Sequence, residues 1–412
     1  MAFAIEAGIR LVKVRRRTSL SFCCDRPFLL EAEAEVVVHV PQSIASPAFT
    51  TFAVDPFPGE IDVLLAEIVK GGVGPWPSEW RGAKAREAAL ARIDYHGLPA
   101  ILAGRSDALH DWPSRLVEII HRRAIGATMW ELRHAQVLRD LTDSLRQTDL
   151  DALILKGSAL AYGFYPEPWM RQRGDSDILV RGSDRDAARA VLRALTFTRV
   201  DGNLWPEPQR FQEAWRRRFD DGTSHLIDLH FDLFNSPTLA GRLTFDQCWP
   251  GRLPLARIGP NAFSPDRTIL LFHGCIHREI NRVGRYFVRG RETTGANRII
   301  WLRDIDLLAR SLDRTGWERF VAVAIGTDQG EACLAGLDAA ARWLKTRVPA
   351  TVRSALALSK AQSSRYLRQG QLGRALADLT AVPGLRPRLR YASARLLPGA
   401  RRRIVQLLRG DR

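Results

Sequence analysis

Two aspartates separated by one residue, Asp175 and Asp177, are the clearest chemical feature of the sequence. An apolar run at 178–180 follows them and predicts a buried strand. Because side chains alternate across a strand, both carboxylates would lie on one face and Ser176 on the other. At roughly 5 Å and an effective dielectric constant of about 20, two such charges repel each other by about 3 kcal/mol. A hard divalent cation removes that penalty, so the pair predicts a Mg²⁺ or Mn²⁺ site.

A phosphate-binding corner is predicted shortly before this pair. An apolar run at 153–155 indicates a strand, and Lys156, Gly157 and Ser158 lead from it into a short helical segment. The free N–H groups of a helix N-terminus favour an anion, and glycine allows a phosphate to approach the backbone closely. Lys156 adds a cation, which is informative because the chain contains only six lysines. Together with the carboxylate pair, this corner predicts a site for a metal-bound nucleoside triphosphate.

A hairpin further along the chain supplies more polar side chains. Residues 211–219 and 224–234 are predicted as its two arms, with an Asp-Gly turn between them. Alternation along the second arm places Asp228, His230 and Asp232 on one face. Periodicity alone allows either aspartate to join the pair on the earlier strand. A histidine in such a strand is more often a structural hydrogen-bonding group than a base.

Two histidines, His273 and His277, stand at i and i+4 on a helix predicted after Pro265. This spacing is one that zinc sites use. However, Gly274 and Cys275 follow His273, so the glutamate of an H-E-x-x-H zinc motif is absent. The spacing is therefore weak grounds for zinc.

Helical segments precede the strand-rich part of the sequence. Residues 78–95 form a helix candidate that Gly97 stops, and apolar residues from 116 to 145 follow helical spacing. Asp-x-Pro at the start of the second segment indicates an N-cap at Asp111. We interpret the tryptophans of this segment as core packing rather than as a nucleobase platform; they are Trp112 and Trp130.

Helices also follow the strands. Ser183 and Asp186 form a capping signal for a helix after the second strand. Later helices are predicted from Asp266 to about residue 283 and over residues 298–312. Asp304, in the last of these, is interpreted as solvated or paired.

These stretches resemble a known family. The pattern begins with L-K-G-S-A-L-A, which contains Lys156, continues with Y-P-x-P, and ends with R-x-x-G-D-x-D-x-L-V, which contains Asp175 and Asp177. It is similar to the bacterial uncharacterised nucleotidyltransferases of the polymerase-beta-like superfamily. That superfamily uses a glycine-serine or glycine-glycine corner, a D-x-D pair on the next strand and a third carboxylate on a later strand. The segment between the corner and the pair is slightly longer here than in minimal members. A weaker resemblance extends from about Trp76 to Leu308.

The resemblance implies both a fold and an activity. The fold is α+β, a small mixed-sheet nucleotidyltransferase core flanked by N- and C-terminal helical regions. The activity is transfer of a nucleoside monophosphate from an NTP to an unknown acceptor, with release of pyrophosphate. Asp175 and Asp177 would be catalytic and hold Mg²⁺ or Mn²⁺, together with Asp228, which matches the third carboxylate. The other implied roles are nucleotide binding by Lys156, Gly157, Ser158 and Arg171, and a place in the cleft for His230, His273 and His277.

The chain is accordingly divided into five predicted parts. They are an N-terminal extension at 1–57, a helical region at 58–148, the nucleotidyltransferase core at 149–262, a C-terminal helical region at 263–382 and a basic tail at 383–412. In the extension, residues 31–40 indicate a strand, and Cys23 and Cys24 are interpreted as inert.

The composition, 46% apolar and 26% charged, favours a soluble globular protein. Five cysteines without a C-x-x-C pair indicate a reducing compartment, so a cytoplasmic location is predicted. No apolar run reaches the length of a membrane span. The formal net charge of +16 favours anionic partners such as nucleotides or nucleic acid, although a genomic preference for arginine explains it equally well.

Two readings of the function stay open from the sequence. The favoured one is the enzyme, whose acceptor is a small molecule, a peptide or a protein. The alternative is a catalytically inactive protein of the same fold that binds RNA or a protein partner. The basic tail fits either a solvated chain end or an electrostatic tether to nucleic acid or anionic lipid.

Overall fold

The structure is a computed structural model of the 412-residue chain. It describes residues 57–200, 211–288, 291–359 and 365–396. The strand predicted at 31–40, the pair Cys23 and Cys24, and residues 397–412 of the basic tail lie outside the described residues.

Helices form most of the described chain. The α-helices are α1 (Phe57–Lys70), α2 (Gly82–His96), α3 (Pro99–Ala103), α4 (Ser114–Gln147), α5 (Lys156–Gly163), α6 (Arg185–Ala194), α7 (Phe245–Cys248), α8 (Arg267–Asn281), α9 (Ile299–Ser311), α10 (Arg314–Gly326), α11 (Gly330–Leu344), α12 (Ala350–Leu358), α13 (Gln371–Ala381) and α14 (Leu385–Leu396). The strands are β1 (Leu153–Leu155), β2 (Asp175–Leu179), β3 (Thr198–Arg199), β4 (Gln212–Arg218), β5 (Ser224–His230), β6 (Leu253–Pro254), β7 (Phe263–Ser264), β8 (Tyr286–Val288) and β9 (Arg291–Thr293). The α+β prediction, with helices on both sides of a small mixed sheet in the sequence, is confirmed.

The central sheet contains five strands in the order β1-β2-β5-β4-β3. Strands β2 and β5 run parallel, and the other neighbouring pairs run antiparallel. The predicted hairpin is confirmed as β4 and β5. In the parallel pair Asp177 lies opposite Asp228, so their side chains lie on the same face of the sheet. We call this the carboxylate face.

Helices α4 and α6 cover the opposite face. His134 of α4 contacts Ser176 of β2, and Arg189 of α6 is ion-paired with Glu213 of β4. Ile227, which points the same way from β5, is fully buried. Helix α5 contacts α8, and the charge of Lys156 lowers the pKa values of the α8 histidines, His273 and His277. Helices therefore cover one face of the sheet, and the carboxylates lie on the other.

Several predicted elements have the expected bounds. Strand β1 covers residues 153–155, β2 starts at Asp175, and Gly97 ends α2 in the left-handed conformation at φ 73°. Helix α8 starts as predicted, because the Asp266 side chain accepts hydrogen bonds from the N–H groups of Thr268 and Ile269. Helix α2 starts at Gly82 rather than at residue 78.

Two predicted helix caps are wrong. Asp111 does not cap α4, because Pro113 itself takes the N-cap position in an extended conformation. Ser183 does not cap α6, because it lies in a 3-10 turn over Gly182–Asp184 and its hydroxyl donates to Asp184, the residue at the N-cap. In both places the chain makes a turn before the helix that the capping pattern alone does not reveal.

Two apolar clusters stabilise the fold. One surrounds the central sheet and extends into the C-terminal helices. The other joins α1–α4 to α9 through Ile299 and Leu302. Trp112 is buried in the second cluster, as predicted, whereas Trp130 is only partly buried. Across the ranges that the structure describes, no helix combines the length and the apolarity that crossing a membrane requires.

Candidate functional site

Asp177 occupies the middle of the polar group on the carboxylate face. Its Oδ1 atom lies 2.5 Å from the Nζ of Lys156 and 2.8 Å from the Nε2 of His230. Burial alone would raise the pKa of Asp177, but the charge of Lys156 and the hydrogen bond from His230 outweigh it and hold that pKa well below its usual range. The Asp177 carboxylate is therefore ionised at neutral pH.

Asp228 lies beside Asp177 on the neighbouring strand. One potential ligand atom from each of Asp177, Asp228 and His230 lies within 4.8 Å of the other two. The Oδ2 of Asp228 accepts a hydrogen bond from the side-chain amide of Gln212. Burial, followed by the charges of Asp175 and Asp177, raises the pKa of Asp228 well above its usual range. The like-charge repulsion predicted from the sequence therefore disfavours mainly the ionised form of Asp228.

Asp175 lies two residues before Asp177 on the same face and is exposed to solvent. The protein around it still desolvates the carboxylate, and this effect and the charge of Asp177 raise its pKa, while Lys156 acts in the opposite direction. Asp175 is not part of the close group formed by Asp177, Asp228 and His230. The structure thus brings together one residue of the predicted pair, the predicted third carboxylate and a histidine.

Lys156 joins β1 to α5 with a backbone φ of 48°, in the left-handed region. For a residue other than glycine this conformation costs about 1 kcal/mol or more. Burial works against the lysine charge, but Asp177, Asp228 and Asp175 outweigh it and raise the pKa of Lys156. The strained backbone thus positions a partly buried cation among three carboxylates.

Gly157 and Ser158 follow at the start of α5. A Cβ atom on Gly157 would lie 3.3 Å from the Cδ of Arg173 and 3.5 Å from the Cζ of Arg171, so glycine lets both arginine side chains lie against this corner. The Ser158 hydroxyl is buried, accepts a hydrogen bond of 2.7 Å from the Nε of Arg173, and is hydrogen-bonded to the Ser176 hydroxyl. Ser176 belongs to the face that α4 covers. The Ser158 hydroxyl is thus engaged on the side of the sheet opposite to the carboxylates.

Arg171 is buried and paired with Asp304 of α9. Its Nε lies 2.9 Å from both carboxylate oxygens of Asp304, and its Nη2 lies 2.7 Å from one of them. The hydroxyl of Tyr165 donates a further hydrogen bond of 2.9 Å to Asp304. Asp304, predicted as solvated or paired, is therefore paired, and the pair attaches the loop before β2 to the C-terminal helices.

The histidines of α8 lie close to this group. His273 packs edge-on against Phe234 at 5.8 Å, and His277 packs against Trp301 at 4.9 Å. Burial, followed by the charge of Lys156, lowers both pKa values, that of His277 to about 3, so both rings are neutral at pH 7. Among the described residues neither histidine belongs to a group of three potential metal ligands.

Asp232, the second candidate from strand periodicity, has a different environment. Strand β5 ends at His230, so the alternation does not continue to residue 232. The Asp232 carboxylate accepts hydrogen bonds from the backbone N–H groups of Phe234 and Gly241, at 3.0 and 2.8 Å. It stabilises the segment after β5.

Sequence reasoning missed a polar layer behind β2. The Nε2 of His134 lies 2.5 Å from the Ser176 hydroxyl, and its Nδ1 lies 3.0 Å from the Nδ1 of His225. Arg173 connects this layer to Glu131 through a buried ion pair of 2.7 Å. The only sequence hint was the alternation that placed Ser176 opposite the carboxylates, because these contacts join residues far apart in the chain.

Comparison with known proteins assigns the chain to a family. No curated protein matches the chain. A family model described as uncharacterised nucleotidyltransferase matches residues 83–345, a range that includes every candidate residue from Lys156 to His277 and the partner of Arg171, Asp304. Since the match covers more than half of the 412 residues, the chain belongs to the uncharacterised nucleotidyltransferase family.

Proposed function

We propose that the protein is a metal-dependent nucleotidyltransferase, which moves a nucleoside monophosphate from an NTP to an acceptor and releases pyrophosphate. The observation that carries the proposal is the group of Asp177, Asp228 and His230, with ligand atoms within 4.8 Å of one another, next to the start of α5. In a member of a nucleotidyltransferase family, such a group is where metal and triphosphate would meet.

The side chains of this group suit a divalent cation. Carboxylate oxygens are the ligands that Mg²⁺ and Mn²⁺ prefer. Asp177 and Asp228 would hold the ion from neighbouring strands, and Asp175 offers a further carboxylate. When bound, the ion would neutralise charge on the transferring phosphoryl group and act as a Lewis acid.

Lys156 is the internal counter-ion of this site. It contacts Asp177 Oδ1, and Asp177 would also be a metal ligand, so Lys156 and a metal would compete for the same carboxylate. Once displaced, the ammonium group remains at the start of α5, where it would meet the β- and γ-phosphates. Lysine is suited to this role, because it is a compact charge on a flexible stem.

The start of α5 would bind the phosphates mainly through its backbone. The N–H groups of Gly157 and Ser158 belong to the first turn, in which N–H groups have no partner within the helix. The side chains of Arg171 and Arg173 lie where a Cβ atom on Gly157 would meet them, and they add positive charge. We assign the Ser158 hydroxyl to the positioning of Arg173, because it accepts a hydrogen bond from that side chain.

His230 would orient Asp177. Burial, followed by the charge of Lys156, lowers the pKa of His230, so the ring is neutral at pH 7 and its Nε2–H donates to Asp177. His273 and His277 would line the cleft as neutral rings. The RNA-binding or protein-binding alternative gains no specific support from the described residues.

The experiment that tests the proposal is transfer of an α-³²P label. Each of the four NTPs is incubated with Mg²⁺ or Mn²⁺, the protein and fractions of a cell extract, and both label transfer and pyrophosphate release are measured. We expect one fraction to become labelled with the wild type and not with Asp228→Asn, which preserves shape and removes the charge. Equal labelling by the variant would contradict the proposed role of Asp228.

A further inference from the structure

A cavity of about 580 Å³ lies on the flank of α4, outside the group of carboxylates described above. One side of α4 forms its wall, and the segment before β2 closes it with Trp169, Gln172 and Arg173. We call it the Trp130 pocket, after the indole on its α4 wall. Its size is in the range of small-molecule sites, which are about 300–1,000 Å³.

The lining combines flat aromatic surfaces with positive charge. Trp130 and Trp169 contribute indoles, and Arg122, Arg123 and Arg173 contribute guanidinium groups against a single carboxylate, that of Glu131. Indoles stack on flat rings, and arginine binds carboxylates and phosphates through two parallel hydrogen bonds. The chemistry that matches this lining is a flat aromatic ring with an anionic substituent.

Trp130 is held rigidly by the residues behind it. Its ring stacks on His134 at a centroid distance of 4.2 Å and an interplanar angle of 18°, and on His225 at 5.0 Å. Its Nε1–H donates to the carbonyl oxygen of Ser224. A wall that is fixed before the ligand arrives reduces the entropy lost on binding.

The three arginines are not equally free to bind a ligand. Arg123 is ion-paired with Asp94, and Arg173 is ion-paired with Glu131 in the interior. Arg122 is 67% exposed, and its pair with the equally exposed Glu118, at 3.3 Å, is of the kind that contributes little. Arg122 is therefore the guanidinium that an incoming anion can engage without breaking a buried pair.

Gly126 gives an independent indication that this space is kept open. It lies in the middle of α4, where glycine costs about 1 kcal/mol relative to alanine. Its backbone is ordinary helix, and a Cβ atom built on it would meet nothing within 4 Å. Neither backbone conformation nor packing requires glycine here, but any side chain would project from the pocket wall.

The pocket adjoins the phosphate site without being part of it. Arg173 lines the pocket, and its Nε donates to the hydroxyl of Ser158 at the start of α5. A ligand in the pocket and a triphosphate at α5 would lie on two sides of the same arginine. We propose that the Trp130 pocket binds a second ligand, a flat aromatic anion.

The site itself can be tested without turnover. Calorimetry in EDTA measures the affinity of the full-length protein for 1-naphthyl phosphate and for neutral 1-naphthalenemethanol. We expect the phosphate to bind about tenfold more tightly, as a hydrogen bond between charged groups allows. Arg122→Gln should remove most of that difference, whereas Arg146→Gln, an exposed arginine of α4 away from the pocket, should keep it.

Gly126→Leu should place a side chain in the pocket and obstruct it. We expect it to weaken binding of both probes at least tenfold, with a melting temperature equal to that of the wild type or higher, because leucine is the better helix former. The matched control is Gly326→Leu on α10, where a Cβ atom also meets nothing within 4 Å. The proposed site would be contradicted if Gly126→Leu bound the probes as tightly as the wild type does, or if the wild type bound both probes with equal affinity.

A competition separates this inference from the proposed function. In the presence of tripolyphosphate and Mg²⁺, the affinity for 1-naphthyl phosphate should stay within about twofold of its value without them. Competition between the two ligands would show that the pocket is only a part of the triphosphate site. Gly126→Leu should keep the affinity for NTP with Mg²⁺, because the pocket lies apart from the start of α5. If this variant loses NTP binding, the pocket is a part of the triphosphate site and not a second site.

Discussion

The carboxylates of the site have different effects on the stability of the metal-free protein. Alternation along a strand predicts that Asp175 and Asp177 repel each other, and the sequence alone assigns the same cost to each acid in the group. The structure gives Asp177 two partners, Lys156 and His230, and leaves Asp228 with a neutral amide. Asp177 is thus stabilised as an anion, and Asp228 is destabilised as one.

Substitutions should therefore have opposite effects in EDTA. Asp228→Asn should raise the free energy of unfolding by about 1 kcal/mol, since it removes the unpaired charge and keeps an acceptor for Gln212. Asp177→Asn should lower it by about 2 kcal/mol, since Lys156 and His230 lose a charged partner. Denaturant unfolding of the three proteins measures this. Stabilisation by both substitutions would show that Lys156 does not neutralise Asp177.

The stability gained through Asp228→Asn should depend on pH. The pKa of Asp228 is higher in the folded protein than its ordinary value of 3.8, so the folded state binds more protons and wild-type stability falls as pH rises through that interval. The difference in melting temperature between the variant and the wild type should be small near pH 4 and grow toward neutral pH. Thermal melts in EDTA between pH 4 and 8 measure it, and a constant difference would contradict the raised pKa.

Lys156→Met tests the competition between lysine and metal. Without NTP, the variant should bind Mn²⁺ at least several-fold more tightly than the wild type, because no ammonium has to leave Asp177. With Mg²⁺ present, it should bind NTP more weakly, because the charge for the phosphates is lost. Calorimetry gives both affinities. Weaker Mn²⁺ binding by Lys156→Met would show that the lysine does not compete with the metal.

At the scale of elements, the sequence predicted the positions of the strands better than the contacts between residues far apart in the chain. Apolar runs and alternation predicted β1, β2 and the β4–β5 hairpin, because strand patterns are local. The pair between Arg171 and Asp304 joins residues 133 positions apart, and no local pattern contains that information. For the same reason Arg171, predicted to bind nucleotide, proved to be paired with α9.

Asp304→Asn should show what this pair contributes. It leaves the buried Arg171 without a full counter-charge, so the free energy of unfolding should fall by about 3 kcal/mol. The control is Glu318→Gln, which breaks the pair of exposed side chains between Arg314 and Glu318 and should leave stability almost unchanged. Equal effects in denaturant unfolding would contradict the structural importance of the pair.

At the scale of the whole molecule, the C-terminal region extends into the predicted basic tail. The described part of the tail forms α14, in which Tyr391 is buried and the Nε of Arg388 donates to the carbonyl oxygen of the buried Val382. Charge and composition left open a solvated end or an electrostatic tether, and few apolar residues occur there at helical spacing. A single buried tyrosine is too weak a pattern for sequence analysis to detect.

Two truncations should therefore behave differently. Removal of residues 397–412 should leave the melting temperature within about 1 °C, whereas removal of 383–412 takes away α14 and should lower it by several degrees. Both should keep NTP binding, since the candidate site uses residues from 156 to 304. Loss of NTP binding by a folded 397–412 deletion would show that the tail contributes to the site.

Metal-dependent NTP binding is the most direct test of the central claim that Asp177, Asp228 and the start of α5 form a nucleotide site. Calorimetry with non-hydrolysable analogues of the four NTPs does not require the acceptor to be known. We expect at least one analogue to bind the wild type in Mg²⁺ or Mn²⁺, and at least tenfold more weakly in EDTA or in Asp228→Asn. Equal affinity in metal and in EDTA, or no binding of any analogue, would contradict the account.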